Sequence, residues 1–165
     1  MTILAFLART RRLGSFDGVA LCRLFCFAVG LSLLLDGAAG LLFAGTALTS
    51  ADDLPNEEWN FVFHFNSWHQ LLHVLNGLVL SAGAIRRQWA PAAALVFGAT
   101  YAVMAPVGFL DGDDIFNVFY SATRENLVHT MFAILGVALG LLGLRAKRTA
   151  AAALEPSQPL PGIGV

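Results

Sequence analysis

The stretch NSWHQLLHVLNG, residues 66–77, places two histidines and two asparagines at the head of a long apolar run. Residues three and four apart share one face of an α-helix, so these four polar side chains form one stripe: Asn66, His69, His73 and Asn76. A second copy of the pattern, ENLVH at residues 125–129, opens another apolar run that continues through Leu144. The two copies predict two related membrane helices whose first turns are polar.

The composition of the whole chain is typical of an integral membrane protein. Of 165 residues, 57% are hydrophobic and 13% are charged, and the mean hydropathy is +0.69. Soluble domains carry about 25% charged residues, so this composition argues against that class. The length fits one domain. The clusters of basic residues are short, which argues against nucleic acid as a partner.

Four apolar segments are long enough to cross about 30 Å of hydrocarbon. We expect spans at about 19–43, 67–85, 90–110 and 125–144, within a membrane domain over residues 19–148. Residues 1–18 are apolar and then arginine-rich, and we expect them to form a cytoplasmic interfacial segment. Residues 149–165 are rich in Ala and Pro, and we expect them to form a disordered cytoplasmic tail.

The distribution of charge predicts the orientation of these spans. If four spans alternate, the arginines of residues 9–12, Arg86, Arg87 and the basic cluster 145–148 fall on one side. The acidic connections 52–58 and 111–114 fall on the other side. Lys and Arg are enriched in cytoplasmic loops, so both termini are predicted to be cytoplasmic.

The two halves of the chain also match in their glycines. Gly30 and Gly40 in the first span have the same spacing as Gly98 and Gly108 in the third. Each half runs through a span, an acidic and aromatic connection, a polar-headed span and a basic stop. The predicted fold class is therefore all-α integral membrane: a four-transmembrane-helix bundle built from two repeated helical hairpins, with both termini inside.

These features resemble the DUF4383 family, small four-span membrane proteins of bacteria and largely of actinobacteria. Residues 66–77 are similar to the family's segment in which an asparagine, two histidines and a glycine recur at helical spacing. Residues 126–129 with Gly136 are similar to its second copy, and the resemblance covers roughly residues 21–144. It implies four spans in the bacterial cell (inner) membrane. The family has no assigned activity, so no substrate or catalytic residue follows from it.

Three ionisable residues from three spans are expected to lie at one depth. His73 and His129 are each about 20 to 24 Å from the basic residues that end their spans, at a rise of 1.5 Å per residue. Asp36, counted from the opposite end of the first span, falls at a similar level. Ionisable residues inside a bilayer normally face one another in the bundle interior, so we expect these to converge in the outer leaflet.

A structural polar network is the first interpretation of this convergence. In that network, buried polar side chains join the spans by hydrogen bonds, and glycines allow close approach of the helices. Its members would be Asp36, Asn66, Asn76 and Asn126, together with His73 and His129.

Cofactor binding is the alternative interpretation, in one of two forms. His73 and His129 are candidate axial ligands for haem b. A transition-metal ion such as zinc or copper is the other form, with His69, His73, His129 and Asp36 as candidate ligands and Glu125 as a further carboxylate. Pigment or quinone binding, or a proton or solute relay through Asp36 and the histidines, stay open as further alternatives.

The leading functional hypothesis is a non-enzymatic accessory or scaffolding subunit that needs no cofactor. Ser67 and His69 lack a placed third partner for nucleophilic catalysis, and there is no glycine-rich phosphate loop. A chain with little mass outside the bilayer works through its lateral faces. We therefore expect lipid contact and packing against a larger membrane complex or another copy of this chain.

Overall fold

The computed structural model describes residues 17–43, 48, 66–112, 114–116, 118–121 and 123–153. This part of the chain contains four helices: α1 (Gly18–Phe43), α2 (Ser67–Ile85), α3 (Ala90–Asp111) and α4 (Thr123–Ala152). A short antiparallel strand pair, β1 (Asp114–Ile115) and β2 (Phe119–Tyr120), lies between α3 and α4. The all-helical architecture is confirmed, whereas the sequence pattern does not predict the strand pair.

Three of the helices, α1, α3 and α4, are long and apolar enough to cross a membrane, at 26, 22 and 30 residues. The 19-residue helix α2 is not one of them, because polar side chains of its first turns lower its hydropathy. Those side chains are buried in the protein: His69, Gln70, His73 and Asn76.

Side-chain caps define where α1 and α2 begin. The Asp17 carboxylate accepts hydrogen bonds from the backbone N–H groups of Val19 and Ala20, at 3.1 and 3.2 Å. The Asn66 side-chain oxygen accepts from the backbone N–H of His69, at 3.1 Å. Each cap satisfies amide groups that have no partner within the first helical turn. The Asn66 cap therefore also fixes where on α2 the histidines emerge.

The helices pack most extensively as two pairs, α1 with α2 and α3 with α4. Glycines allow the close approach within each pair. A Cβ added at Gly98 would lie 2.7 Å from the carbonyl carbon of Gly136, and one added at Gly30 would lie 2.9 Å from the Cβ of Leu80. The backbones of α3 and α4 are thus in direct contact, as small residues permit in membrane bundles.

An aromatic and thiol core joins the two pairs. Phe97 on α3 packs against Phe25 on α1, with ring centroids 5.7 Å apart. The buried thiol of Cys22 on α1 donates to the carbonyl of Leu139 on α4, at 2.8 Å. The four helices therefore form one packed body around the core.

Different groups lie at the two ends of the body. At one end, which we call the basic end, Arg87 forms an ion pair with Asp17, and Lys147 donates to the carbonyl of Gln88 at 3.1 Å. The strand pair lies at the other end, the hairpin end, where α3 finishes and α4 begins. The α1–α2 and α3–α4 pairs are accordingly antiparallel.

Element boundaries differ from expectation at the end of α4. This helix continues to Ala152, past the expected end of the span at 144 and into the segment expected to be a tail. Residues 1–16 of the expected interfacial segment, most of the connection 44–65 and residues 154–165 lie outside the described residues, so their assignments stay predictions.

Candidate functional site

Three histidines from two helices meet inside the bundle near its hairpin end. His69 and His73 lie one turn apart on α2, and His129 lies on α4. One ring nitrogen of each lies within 4.8 Å of the others. The ring centroid of His69 is 4.7 Å from that of His73 and 5.3 Å from that of His129. We call these three residues the histidine cluster.

The cluster is enclosed by protein. Its three residues are 0%, 5% and 2% exposed in sequence order. Hydrogen-bond partners matter at buried imidazoles, because a buried polar group without a partner costs free energy. The partners of the three rings therefore indicate how each ring is held.

Each imidazole has an acceptor or a hydroxyl at its Nδ1. His69 Nδ1 lies 2.6 Å from the carbonyl oxygen of Tyr120 in β2. A carbonyl only accepts, so His69 carries its proton on Nδ1 and presents the lone pair of Nε2. His73 Nδ1 lies 2.8 Å from Oδ2 of Asp36 on α1, and the same reasoning applies to it.

His129 is held by a weaker version of the same arrangement. The Ser121 hydroxyl donates to the side-chain oxygen of Asn126 at 2.9 Å, so its own oxygen is left to accept. His129 Nδ1 lies 3.5 Å from that hydroxyl. The geometry therefore favours the Nδ1–H tautomer for all three rings, and in that tautomer Nε2 is the nitrogen that carries the lone pair.

Asp36 was expected among the metal ligands, and the structure gives it a different place. It is not a member of the cluster of mutually close ligand atoms. Its carboxylate instead engages the Nδ1 of His73, and its side chain is 28% exposed against 6% for the histidine. A carboxylate in this position orients a ligating imidazole and raises its basicity.

Sequence reasoning did not identify Tyr101 as a site residue. It is fully buried on α3, and its ring lies 4.7 Å from the His129 ring. Its hydroxyl has no hydrogen-bond partner among the residues that the structure describes. A single phenol in the apolar run of the third span is the sequence signal that could have found it.

Two other neighbours of the cluster were missed, and Glu125 was considered only as an alternative ligand. Ser121 and the carbonyl of Tyr120 belong to the connection before α4, where the sequence shows no ligand pattern. Glu125 is 1% exposed on the first turn of α4, and the Arg124 guanidinium lies 3.7 Å from its carboxylate.

The expected polar network divides into separate parts. Asn66 donates to the carbonyl of Val118 at 2.6 Å, and Asn126 donates to the carbonyl of Ser121 at 3.0 Å. Both asparagines therefore attach a helix to the strand segment. Asn76 donates only to Leu72 of its own helix, at 3.0 Å, so this bond joins no two helices.

A haem with His73 and His129 as axial ligands does not fit this packing. The macrocycle would have to lie between the two axial nitrogens. A nitrogen of His69 lies within 4.8 Å of both, and the Tyr101 ring packs against His129 from α3. Side chains thus fill the volume that a porphyrin needs.

A single metal ion fits the cluster better. In a tetrahedral zinc site, bonds of about 2.0–2.1 Å hold the nitrogen ligands about 3.3 Å apart. The three nitrogens lie within 4.8 Å of one another, so a small inward movement of the rings brings them into range. The donor set of three imidazoles suits borderline divalent ions such as zinc and copper.

Comparison with known proteins gives one finding of likeness and two negative ones. A family model described as "Domain of unknown function (DUF4383)" matches residues 23–142. No curated protein matches the chain, and no solved structure matches it.

Proposed function

Since the chain belongs to the DUF4383 family, a domain of unknown function, we propose a function from the site itself: a membrane protein that binds one transition-metal ion through His69, His73 and His129. The observation that carries the proposal is the convergence of three imidazole nitrogens in a buried position. Three protein ligands of this type leave a fourth position for water or another small ligand, as in catalytic sites for zinc.

The Nδ1 partners of the cluster support a metal over simple packing. Here Nδ1 of each ring faces a carboxylate, a carbonyl or a hydroxyl, and these groups come from α1 and the strand segment. Such partners are the usual outer contacts of metal-ligating histidines, because they fix both tautomer and orientation.

A fourth span formed by α2 is part of this proposal. Nineteen residues at 1.5 Å each give about 28 Å, close to the thickness of the hydrocarbon core. The polar residues that lower its hydropathy are buried in the protein, whereas its outer face is apolar, with Leu75 and Leu78 exposed at 52% and 55%. Lipid would therefore meet only the apolar face of α2.

We also propose that the two helix pairs arose as a repeat, with both termini cytoplasmic. Corresponding contacts support the repeat: Gly40 is covered by Gln70 in one pair, and Gly108 is covered by Asn126 in the other. The gathering of Arg87 and Lys147 at the basic end supports the orientation, since cytoplasmic loops are enriched in basic residues. The cell membrane is the proposed location.

The accessory or scaffolding role is the competing proposal. It requires a surface that discriminates a protein partner from lipid. The exposed leucines of α1 and α4 suit either contact equally well. Metal binding is preferred because it rests on a specific arrangement of atoms.

Metal content of the purified protein tests the proposal. The full chain, expressed in medium supplemented with zinc or copper and purified in detergent, is expected to carry one ion per chain by elemental analysis. His69→Gln, His73→Gln and His129→Gln should each weaken binding of Zn²⁺ or Co²⁺ by at least about tenfold. The ligand-field absorption of Co²⁺ reports nitrogen coordination directly.

Asn76→Gln is the matched control, because it changes a buried polar residue of α2 outside the histidine cluster. It should bind metal as the unchanged protein does. A folded protein that takes up no ion under these conditions, or three histidine variants that bind as well as the control, would contradict the proposal and favour the accessory role.

A further inference from the structure

A groove at the basic end lies between α1 and the end of α2, on the outside of the bundle. Its volume is about 510 Å³, and it is separate from the histidine cluster. We call it the arginine groove. Its lining combines charged and apolar side chains: Asp17, Ala20, Arg23, Leu24, Phe27 and Arg87.

Arg23 is the unusual member of the lining, because it lies inside α1 about 8 Å from the first helical residue, at 1.5 Å per residue. Its Nε donates to the carbonyl of Ala84 near the end of α2, at 2.7 Å. This bond uses one of the five N–H donors of the guanidinium and holds the group at the mouth of the groove.

Arg87 is held from the other side. It forms an ion pair with Oδ2 of Asp17, whose Oδ1 caps the start of α1. Both guanidinium groups are therefore positioned by the protein before any ligand arrives. The lining of the groove contains two guanidinium groups and one carboxylate, so its charge complements an anion.

The apolar part of the groove continues along α1 toward the middle of the span. Leu24 and Phe27 are 62% and 60% exposed, on the face that would meet lipid. A ligand that satisfies both parts must carry an anionic group at one end and a hydrocarbon chain at the other. Phosphate matches the geometry of guanidinium groups, which bind it through bidentate hydrogen bonds.

We propose that the arginine groove binds one anionic phospholipid, with its phosphate on Arg23 and Arg87 and an acyl chain along Leu24 and Phe27. Basic pockets between membrane helices on the cytoplasmic side bind anionic headgroups in this way. The proposal is independent of metal binding, since the histidine cluster lies toward the hairpin end.

Native mass spectrometry of the full chain, released from detergent with added lipid, tests the proposal. Phosphatidylglycerol should bind as one retained copy and about tenfold more tightly than phosphatidylcholine, whose headgroup carries no net charge. Arg23→Gln should weaken phosphatidylglycerol binding about fivefold, the effect of one arginine near an anionic headgroup. Arg148→Gln is the matched control at the same end, outside the groove, and should change it less than twofold.

A second variant keeps the test decisive if Arg23→Gln fails to fold. Ala20→Phe fills the groove from an exposed position and leaves both arginines in place, so it should reduce phosphatidylglycerol binding by a similar factor. Inorganic phosphate, added at the concentration of the lipid, should not displace it. The proposal would be overturned if Arg23→Gln and Arg148→Gln lost the same amount of phosphatidylglycerol binding. It would also be overturned if Ala20→Phe bound the lipid fully, or if inorganic phosphate displaced the lipid.

Discussion

In the α3–α4 pair the buried amide of Asn126 is held by two hydrogen bonds to Ser121, whereas in the α1–α2 pair the buried amide of Gln70 makes none to any described residue. Both amides lie against a glycine of the facing helix, Gly108 and Gly40 respectively. The packing is thus alike in the two pairs, and the polar bonding is not.

The same contrast holds for the ionisable residues. The α1–α2 pair supplies Asp36 and two histidines, His69 and His73. The α3–α4 pair supplies one histidine, Tyr101 and the buried Glu125. If these residues only held helices together, similar packing would call for similar polar residues. Glycine contacts therefore explain why the helices pack as two pairs. They do not explain why three histidines gather in one place, and the histidine cluster needs a separate explanation.

The largest expected effect tests whether the glycine contacts are equally tight in both pairs. Gly98→Ala should destabilise the protein by about 3 kcal/mol, because its Cβ would meet the backbone of α4, which cannot move aside. Gly30→Ala should cost less, about 2 kcal/mol, since its closest contact is the Cβ of Leu80 at 2.9 Å and the nearest backbone atom of α2, the amide nitrogen of Ser81, lies 3.2 Å away. Unfolding in mixed detergent and denaturant measures both. Equal losses of unfolding free energy would mean that the two helix pairs accommodate an added methyl group equally well.

The next prediction concerns the two amides. Asn126→Leu should cost about 2 kcal/mol, because it removes two hydrogen bonds and leaves the buried Ser121 hydroxyl without its acceptor. Gln70→Met has nearly the same shape as the native side chain and should change the free energy of unfolding by less than about 0.5 kcal/mol. The same unfolding assay applies, and a loss for Gln70→Met as large as that for Asn126→Leu would remove the contrast.

The smallest effect concerns the groups behind the histidines and rests on the proposed metal site. Asp36→Asn should weaken Co²⁺ binding about tenfold, because the neutral amide supports the His73 imidazole less well than a carboxylate does. Ser121→Ala should weaken it less, about threefold, since a neutral hydroxyl at 3.5 Å is a poorer partner of His129. Titration followed by Co²⁺ absorption measures both. A larger loss of Co²⁺ binding for Ser121→Ala than for Asp36→Asn would mean that the stronger Nδ1 partner belongs to His129 of the α3–α4 pair.

Counting residues along each span, at the rise of an α-helix, predicted part of the candidate site. His73 and His129 were placed at one level by their distances from the basic residues, and the structure brings both next to His69. Asp36 was expected at the same level, and its carboxylate contacts His73. These placements needed only the helical rise and the rule that polar groups in a bilayer face inward.

The remaining contacts required the fold. Nothing in the sequence near Tyr101 indicates that its ring packs on His129, since the two residues lie on different helices. The backbone carbonyl that holds His69 belongs to β2, and backbone atoms carry no sequence signal. Asn76 shares the polar stripe of α2, but its side chain donates to a carbonyl of its own helix. The periodic pattern predicts which face of a helix a residue lies on and does not predict its hydrogen-bond partner.

By itself, the sequence determined the helical membrane class, the approximate spans and the polar face of α2. These features depend on hydropathy and on the 3.6-residue period, which are properties of neighbouring residues. Only the tertiary structure decided that three imidazoles meet, that Asp36 engages Nδ1 of His73, and that Arg23 reaches the end of α2. Those contacts depend on helix crossings and on side-chain rotamers, which are set by residues far apart in the chain.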